Sequence, residues 1–93
     1  MKLTDRNIEI AYAVLDYTRN NGRPPAIIDL CKITKIASKS TVHGHLKRLK
    51  ELNIISWVEG EIRSIQILDP GKVDFEYEAV VKRKKDKLSE YIL

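Results

Sequence analysis

The sequence predicts an α+β fold of three helices, a two-stranded hairpin and a C-terminal helical tail. Apolar residues recur at helical spacing in three segments before residue 53, and each segment has a capping or helix-stopping residue at its ends. Between residues 54 and 68, short apolar runs flank a glycine-containing turn, as in a β-hairpin. We therefore predict a domain over residues 1–70, followed over residues 71–93 by a linker and an amphipathic tail.

The first helix is predicted to begin at Thr4 or Asp5, since either side chain can cap it. It should end at Asn20-Asn21-Gly22, because Gly and Asn tolerate the left-handed conformation. After an extended Pro24-Pro25 entry, a short second helix is expected from about Ala26 to Ile33.

The third helix is predicted to be capped by Ser38 or Ser40 and to reach about Leu52. Its inward row is Val42, Leu46 and Leu49. Two helices joined by a short turn, the second of them basic and well capped, form the outline of a helix-turn-helix.

A hairpin is predicted directly after that helix. Ile54–Val58 should form one strand, Glu59-Gly60-Glu61 the turn, and Ile62–Leu68 the returning strand. A hairpin in this position is the wing of a winged helix-turn-helix. Asp69-Pro70-Gly71 is expected to close the domain.

Composition narrows the functional class. The 93 residues suffice for one small core, and 43% are hydrophobic. We see no apolar run of about 18 residues and no signal peptide, so we expect a cytoplasmic protein with no membrane partner. The single cysteine, Cys31, is expected to be a small core residue.

The net charge of +4 is concentrated in one part of the chain. The tail from residue 73 is neutral, whereas residues 30–50 contain no acid and six bases: Lys32, Lys35, Lys39, Lys47, Arg48 and Lys50. Such a stripe fits a polyanionic partner, although many lysine-rich surfaces are only solvated.

The outer side of the third helix is the candidate site. Ser40, Thr41 and His43 offer groups that can hydrogen-bond base edges, while Lys47 and Arg48 can neutralise phosphates. Gly44 weakens the helix by about 1 kcal/mol relative to alanine. It fits a close backbone approach to a partner, with neutral drift as the alternative.

Catalytic and metal sites are not indicated. His43 and His45 point about 200° apart on a helix and cannot bind one ion together. His45 is more simply a packed or capping histidine. We find no nucleophile–base pair and no phosphate loop, so we expect no enzyme, no metal and no cofactor.

Three stretches resemble the DNA-binding domain of the SOS repressor LexA, over about residues 3–68: Gly22-Arg23-Pro24-Pro25, Ser38 to Leu46 with its Ser-Thr-Val-His-Gly-His-Leu run, and Leu49 with Ile54-Ile55. The run is most similar to the Gram-positive branch. The resemblance implies a winged fold that binds palindromic operators in duplex DNA as a dimer. It implies base contacts by Ser40, Thr41, His43 and Gly44. It implies phosphate or supporting contacts by Ser38, Lys39, His45, Lys47 and Arg48.

The chain also departs from that family. LexA carries a C-terminal self-cleaving domain, and since this chain ends at Leu93 we expect no self-cleavage. Ala26 stands where the family usually has a capping Ser or Thr, so a weaker start of the second helix is expected. Glu59 and Glu61 place acids at the wing tip, which should stay away from phosphate. Arg63 is the one base nearby and is assigned as a backbone contact.

The tail offers a dimerisation device. Tyr77, Val81, Lys84, Leu88 and Tyr91 follow a 4-3-4-3 spacing. We assign Tyr77, Val81, Leu88 and Tyr91 to a homodimer contact. The alternatives are a tail that folds back on its own domain and an exposed, frayed tail.

These observations predict a homodimeric transcriptional regulator, most simply a repressor, that would suit a phage or plasmid. The alternative is a protein–protein adaptor, in which an acidic wing and the tail bind a repressor or RNA polymerase.

Overall fold

A computed structural model describes residues 3–92, with side-chain surroundings for residues 3–86. Its elements are α1 (Asp5–Asn21), α2 (Ile27–Thr34), α3 (Lys39–Glu51), β1 (Ile55–Ser56), β2 (Gln66–Ile67) and α4 (Pro70–Ile92). Three helices followed by an antiparallel hairpin confirm the predicted α+β winged helix-turn-helix. No helix within the described range is long and apolar enough to cross a membrane.

Helix α1 has the ends that its sequence predicts. The Thr4 hydroxyl accepts a hydrogen bond from the Asn7 backbone N–H at 3.1 Å, and the Asn7 side chain accepts one from the Thr4 backbone at 3.0 Å. This reciprocal pair satisfies two backbone N–H groups at the start of the helix, one of them at the cap itself. Gly22, at φ 70°, ends the helix in the left-handed conformation.

The core forms where α1 meets α2, α3 and the hairpin. Ile10 and Val14 of α1 are fully buried, so that helix is covered on more than one side. Facing them are these buried residues: Leu30, Val42, Leu46, Leu49, Ile54, Ile55 and Ile65. Cys31 is buried among them, which confirms its prediction as a core residue.

Helix α2 is supported at its start by a residue that the sequence analysis did not weigh. Ala26 has no capping side chain, but its backbone N–H donates to the Asp29 carboxylate at 2.9 Å. Asp29 therefore takes over part of the capping role at this helix start. The helix ends at Lys35, which adopts φ 59°.

The two strands of the wing are shorter than predicted. The expected strands 54–58 and 62–68 reduce to Ile55 paired with Ile67 and Ser56 paired with Gln66. The Ser64 side chain is the reason, because its hydroxyl accepts from the Val58 backbone N–H at 2.9 Å and takes the place of a ladder partner.

Helix α4 begins in the segment where the sequence predicts the end of the domain and the start of a linker. Asp69-Pro70-Gly71 begins this helix, and the Asp69 carboxylate accepts from the Lys72 backbone N–H at 3.2 Å. Pro70 suits the first helical position because its missing N–H has no intrahelical partner there. Residues 71–86 are therefore helical rather than a linker.

The tail folds back along α1, as one of the stated alternatives expected. Val73 and Val80 are buried, and Tyr77 stacks on Tyr12 with ring centroids 3.7 Å apart. The helices run antiparallel, with Arg19 bound to Asp74 near one end. Of the predicted dimer contacts, Tyr77 is thus engaged within the protein and Val81 is half-buried. Leu88 and Tyr91 lie outside the residues whose side chains are described.

Candidate nucleic-acid interface

Helix α3 separates its residues into a buried and an exposed side. Val42, Leu46 and Leu49 are at most 1% exposed, which fixes the rotation of the helix against the core. The opposite side is open to solvent and carries these residues: Ser40, Thr41, His43, Gly44 and Lys47. All four residues predicted to contact bases therefore share one accessible surface.

The start of α3 combines a cap with positive charge. The Ser38 hydroxyl accepts from the Thr41 backbone N–H at 3.3 Å, so Ser38 rather than Ser40 is the cap. The first turn contains no acid, and Lys39 is exposed. The partial positive charge of a helix N-terminus adds to that lysine, and both favour a phosphate nearby.

Gly44 lies on the exposed side with free space around it. A Cβ built at this position would meet nothing within 4 Å. Packing within the protein therefore does not require glycine here.

His45 is held by α1. Its Nδ1 lies 2.7 Å from the side-chain nitrogen of Asn7. Because the Asn7 oxygen already accepts from the Thr4 backbone, the amide NH₂ group faces the imidazole, and Nδ1 accepts. The ring is half-buried, in keeping with a packed histidine, and its Nε2 is left to serve as a donor.

The basic stripe is largely free of internal partners. Lys32, Lys35, Lys39 and Lys47 are exposed, and Arg48 is half-buried. Among the six bases of residues 30–50, only Lys50 joins an ion pair within the described part of the chain, at 3.8 Å from Glu59. Lys50 also lies 4.1 Å from the ring centroid of Trp57. It therefore braces the wing against α3.

Arg63, which the sequence assigns to a DNA-backbone contact, is hydrogen-bonded within the protein. Its guanidinium donates to the Asp29 carboxylate at 3.0 Å, and to the Tyr17 hydroxyl and the Pro24 carbonyl at 3.3 Å each. The hydrogen bond with Tyr17 and the charge of Asp29 raise the pKa of Arg63. These bonds hold the wing against the start of α2, and the assignment of Arg63 to a DNA-backbone contact stays a prediction.

The wing tip carries acids and apolar side chains. Glu59 and Glu61 are exposed, and Ile62 is 78% exposed. Between this loop, α2 and α3 lies a groove of about 700 Å³, with Ile27, Leu46 and Trp57 among its apolar walls. Lys39, Ser40 and His43 also line the groove, so it borders the exposed side of α3.

The chain matches a known family over most of this fold. The model of the LexA DNA binding domain matches residues 1–64, which includes α1 to α3 and the first strand of the wing. The chain belongs to the LexA DNA-binding domain family. That membership confirms the resemblance drawn from the Ser38 to Leu46 run.

Curated relatives extend the match. The LexA repressor of Clostridium perfringens strain SM101 is 32% identical over 66 residues, covering 71% of this chain and 32% of the relative. The LexA repressors of Bacillus thuringiensis strain Al Hakam and Bacillus cereus strain Q1 are each 35% identical over 81 residues, covering 87% of this chain and 39% of the relative. The chain thus spans between three and four tenths of the length of these LexA repressors.

Two residues that support the helices next to the site were not identified from the sequence. Asn7 and Asp29 each lie at the third position of a helix and accept from the cap residue's backbone. The Thr4-x-x-Asn7 spacing carries the signal of such a cap, although a capping box usually has Glu or Gln at the third position. Neither residue belongs to the exposed side of α3, and both fix the helices that border it.

Proposed function

We propose that this chain is a sequence-specific, duplex-DNA-binding transcriptional repressor that recognises a LexA-like palindromic operator through α3 and its cap, residues 38–52. The observation that carries the proposal is the division of α3, with Val42, Leu46 and Leu49 buried and Ser40, Thr41, His43 and Lys47 exposed. A helix inserted in the major groove needs short polar groups near its N-terminus and cations further along. The match to LexA repressors supports the sign of regulation.

In this proposal, Ser40, Thr41, His43 and Gly44 approach base edges. Ser38, Lys39, Lys47 and Arg48 contact phosphates, and His45 supports them through its free Nε2. The pairing of Nδ1 with Asn7 would orient that nitrogen, in the way that a second hydrogen bond usually fixes a functional histidine.

We further propose that the protein binds as a homodimer and without self-cleavage. A single module buries little DNA surface, and two half-sites multiply affinity. The remaining residues of the tail stripe, Val81, Leu88 and Tyr91, are our candidate for the contact between copies.

The test is a gel-shift titration with a GAAC-type palindromic duplex and a scrambled duplex of equal length and composition, at two salt concentrations. We expect tighter binding to the palindrome at both, with the ratio nearly independent of salt. Equal affinities would remove the specific-repressor proposal. The same mixtures in a sedimentation experiment should contain two protein copies per palindrome, and one copy per palindrome at saturation would remove the dimer.

The alternative function is a protein–protein adaptor. The acidic wing tip and the highly exposed Ile62, beside an apolar groove, favour it. An adaptor would leave bare DNA unshifted even at low salt, so the same titration separates the two functions.

A further inference from the structure

We infer that the basic end of α4, residues 82–85, is a second phosphate-binding surface that lengthens the DNA contact beyond the helix-turn-helix. This inference rests on the proposed function. It concerns the sequence Lys82-Arg83-Lys84-Lys85, which is the most concentrated run of positive charge in the chain.

The charge of α4 is divided along its length. Its first half carries Asp74, Glu76 and Glu78 with one base, Lys72, whereas the four residues 82–85 are all basic and are followed by Asp86. The antiparallel packing on α1 places the acidic half near the end of α1, where Arg19 binds Asp74. It places the basic half beside the first turns of α1.

Contacts of that basic half connect it to the helix-turn-helix. Lys84 pairs with Glu9, and together with Arg6 and Lys35 it lines a cleft of about 330 Å³ between α1, α4 and the end of α2. Lys35 lies three residues before Ser38, the cap of α3. Cations of α4 and of the turn that leads into α3 therefore border the same cleft.

The first turns of α1 lie beside α3 as well. Arg6 donates to the Thr34 carbonyl at 2.8 Å, and Asn7 bonds His45 of α3 at 2.7 Å. Two residues from Asn7, Asp5 pairs with Arg83 of α4. These bonds form a continuous path from the basic end of α4 to the middle of α3.

Holding α4 on α1 does not account for all of this charge. Arg83 and Lys84 neutralise Asp5 and Glu9 of α1. Lys82 and Lys85 are exposed and form no ion pair with any residue in the described range. The two lysines line a cleft together with Tyr77 and Val81, beside Asp74 and Glu78, and their charge is open to a polyanion.

The experiment measures the salt dependence of binding by fluorescence anisotropy with a labelled duplex. The double variant Lys82→Ala/Lys85→Ala is compared with Lys72→Glu, which changes the net charge by the same amount at the other end of α4. If both lysines contact phosphate, the slope of log K against log salt becomes less steep by about 1.8, at about 0.9 for each lost contact. Affinity should fall equally for palindromic and scrambled duplexes, because phosphate contacts carry no sequence information.

Lys72→Glu should keep the wild-type slope, and Lys82→Arg/Lys85→Arg should keep both slope and affinity. The three variants should share the wild-type thermal melt by circular dichroism, because each changed lysine is exposed. Equal slopes for the double alanine variant and Lys72→Glu, with the wild-type protein binding DNA, would overturn this inference alone. A wild-type protein that binds neither duplex would overturn the proposed function with it.

Discussion

Asn7 donates from its side-chain amide to Nδ1 of His45 at 2.7 Å, and so joins the first turn of α1 to the middle of α3. Asn7 is only 4% exposed and also accepts from the Thr4 backbone. One buried amide thus caps one helix and orients a side chain on another. The position of the candidate recognition helix depends on a polar contact as well as on its apolar face.

Replacing Asn7 by alanine should lower the free energy of unfolding by about 1–3 kcal/mol, because the buried amide and its hydrogen bonds to Thr4 and His45 are lost. Thr4→Ala removes only the cap hydroxyl and should cost about 1 kcal/mol. Urea titrations of both variants measure the difference. A smaller loss in Asn7→Ala than in Thr4→Ala would show that the bond to His45 contributes nothing.

Variants of the exposed side of α3 should divide into two kinds. Ser40→Ala and His43→Ala should each reduce discrimination between palindromic and scrambled duplexes by about 1–3 kcal/mol. Lys47→Ala should weaken binding to both duplexes and reduce the salt slope by about 0.9. Because these residues are exposed, unfolding free energies should stay near wild type. The prediction fails if Lys47→Ala changes the preference between duplexes and Ser40→Ala does not.

The helices could be predicted closely because their ends are encoded locally. Thr4, Gly22 and Ser38 act within one turn of the residues they cap, so the sequence near each end determines it. The wing strands were overestimated for the opposite reason. Alternating apolar residues favour a ladder, but Ser64 binds the Val58 backbone through its side chain and opens the hairpin early.

The packing of α4 against α1 could not be predicted from the spacing of the apolar residues in α4. An apolar stripe fits a second copy or the same chain equally well. Lys84 would interrupt the apolar stripe if the stripe formed the seam of a dimer. The sequence alone does not reveal that Glu9 of α1 pairs with Lys84. Arg63 was assigned to DNA from its charge, while its partners Tyr17 and Asp29 lie more than 30 residues away. Contacts between residues so far apart in the sequence form only when the tertiary fold brings them together.

The start of α2 should be sensitive to acid. The hydrogen bond from the Ala26 backbone, together with the charge of Arg63, lowers the pKa of Asp29. A lowered folded-state pKa means that the stabilisation is present above the unfolded value of about 3.9 and is lost as the pH falls through the folded one. Asp29→Asn should therefore be less stable than wild type at neutral pH, and should lose less stability below about pH 4.

Urea midpoints at neutral and acidic pH measure this difference. Asp16→Asn is the control, since Asp16 is exposed and forms no ion pair among the residues described. Parallel stability curves for wild type and Asp29→Asn would contradict the prediction.

The packing of α4 on α1 can be tested by comparing alanine substitutions at two neighbouring valines. Val80 is 1% exposed, whereas Val81 is half-buried. Val80→Ala removes two buried methyl groups and should lower the unfolding free energy by about 2 kcal/mol. Val81→Ala should cost clearly less. Equal and small losses in chemical denaturation would indicate that the tail is not packed on its own domain.

Gly44→Ala distinguishes a required glycine from a neutral one. Alanine favours a helix by about 1 kcal/mol over glycine, and a Cβ at this position meets nothing within 4 Å. The variant should therefore unfold at higher urea concentration than wild type. If the backbone at Gly44 approaches a base edge, the same methyl group should weaken binding to the palindromic duplex by tenfold or more, about 1.4 kcal/mol.

Gly71→Ala is the matched control. It lies in the first turn of α4, where a Cβ would make only an ordinary contact of 3.8 Å with the Asp69 side chain. It should not weaken DNA binding. A more stable Gly44→Ala protein with unchanged affinity would mean that the glycine is neutral and that α3 sits less deeply in the groove than we propose.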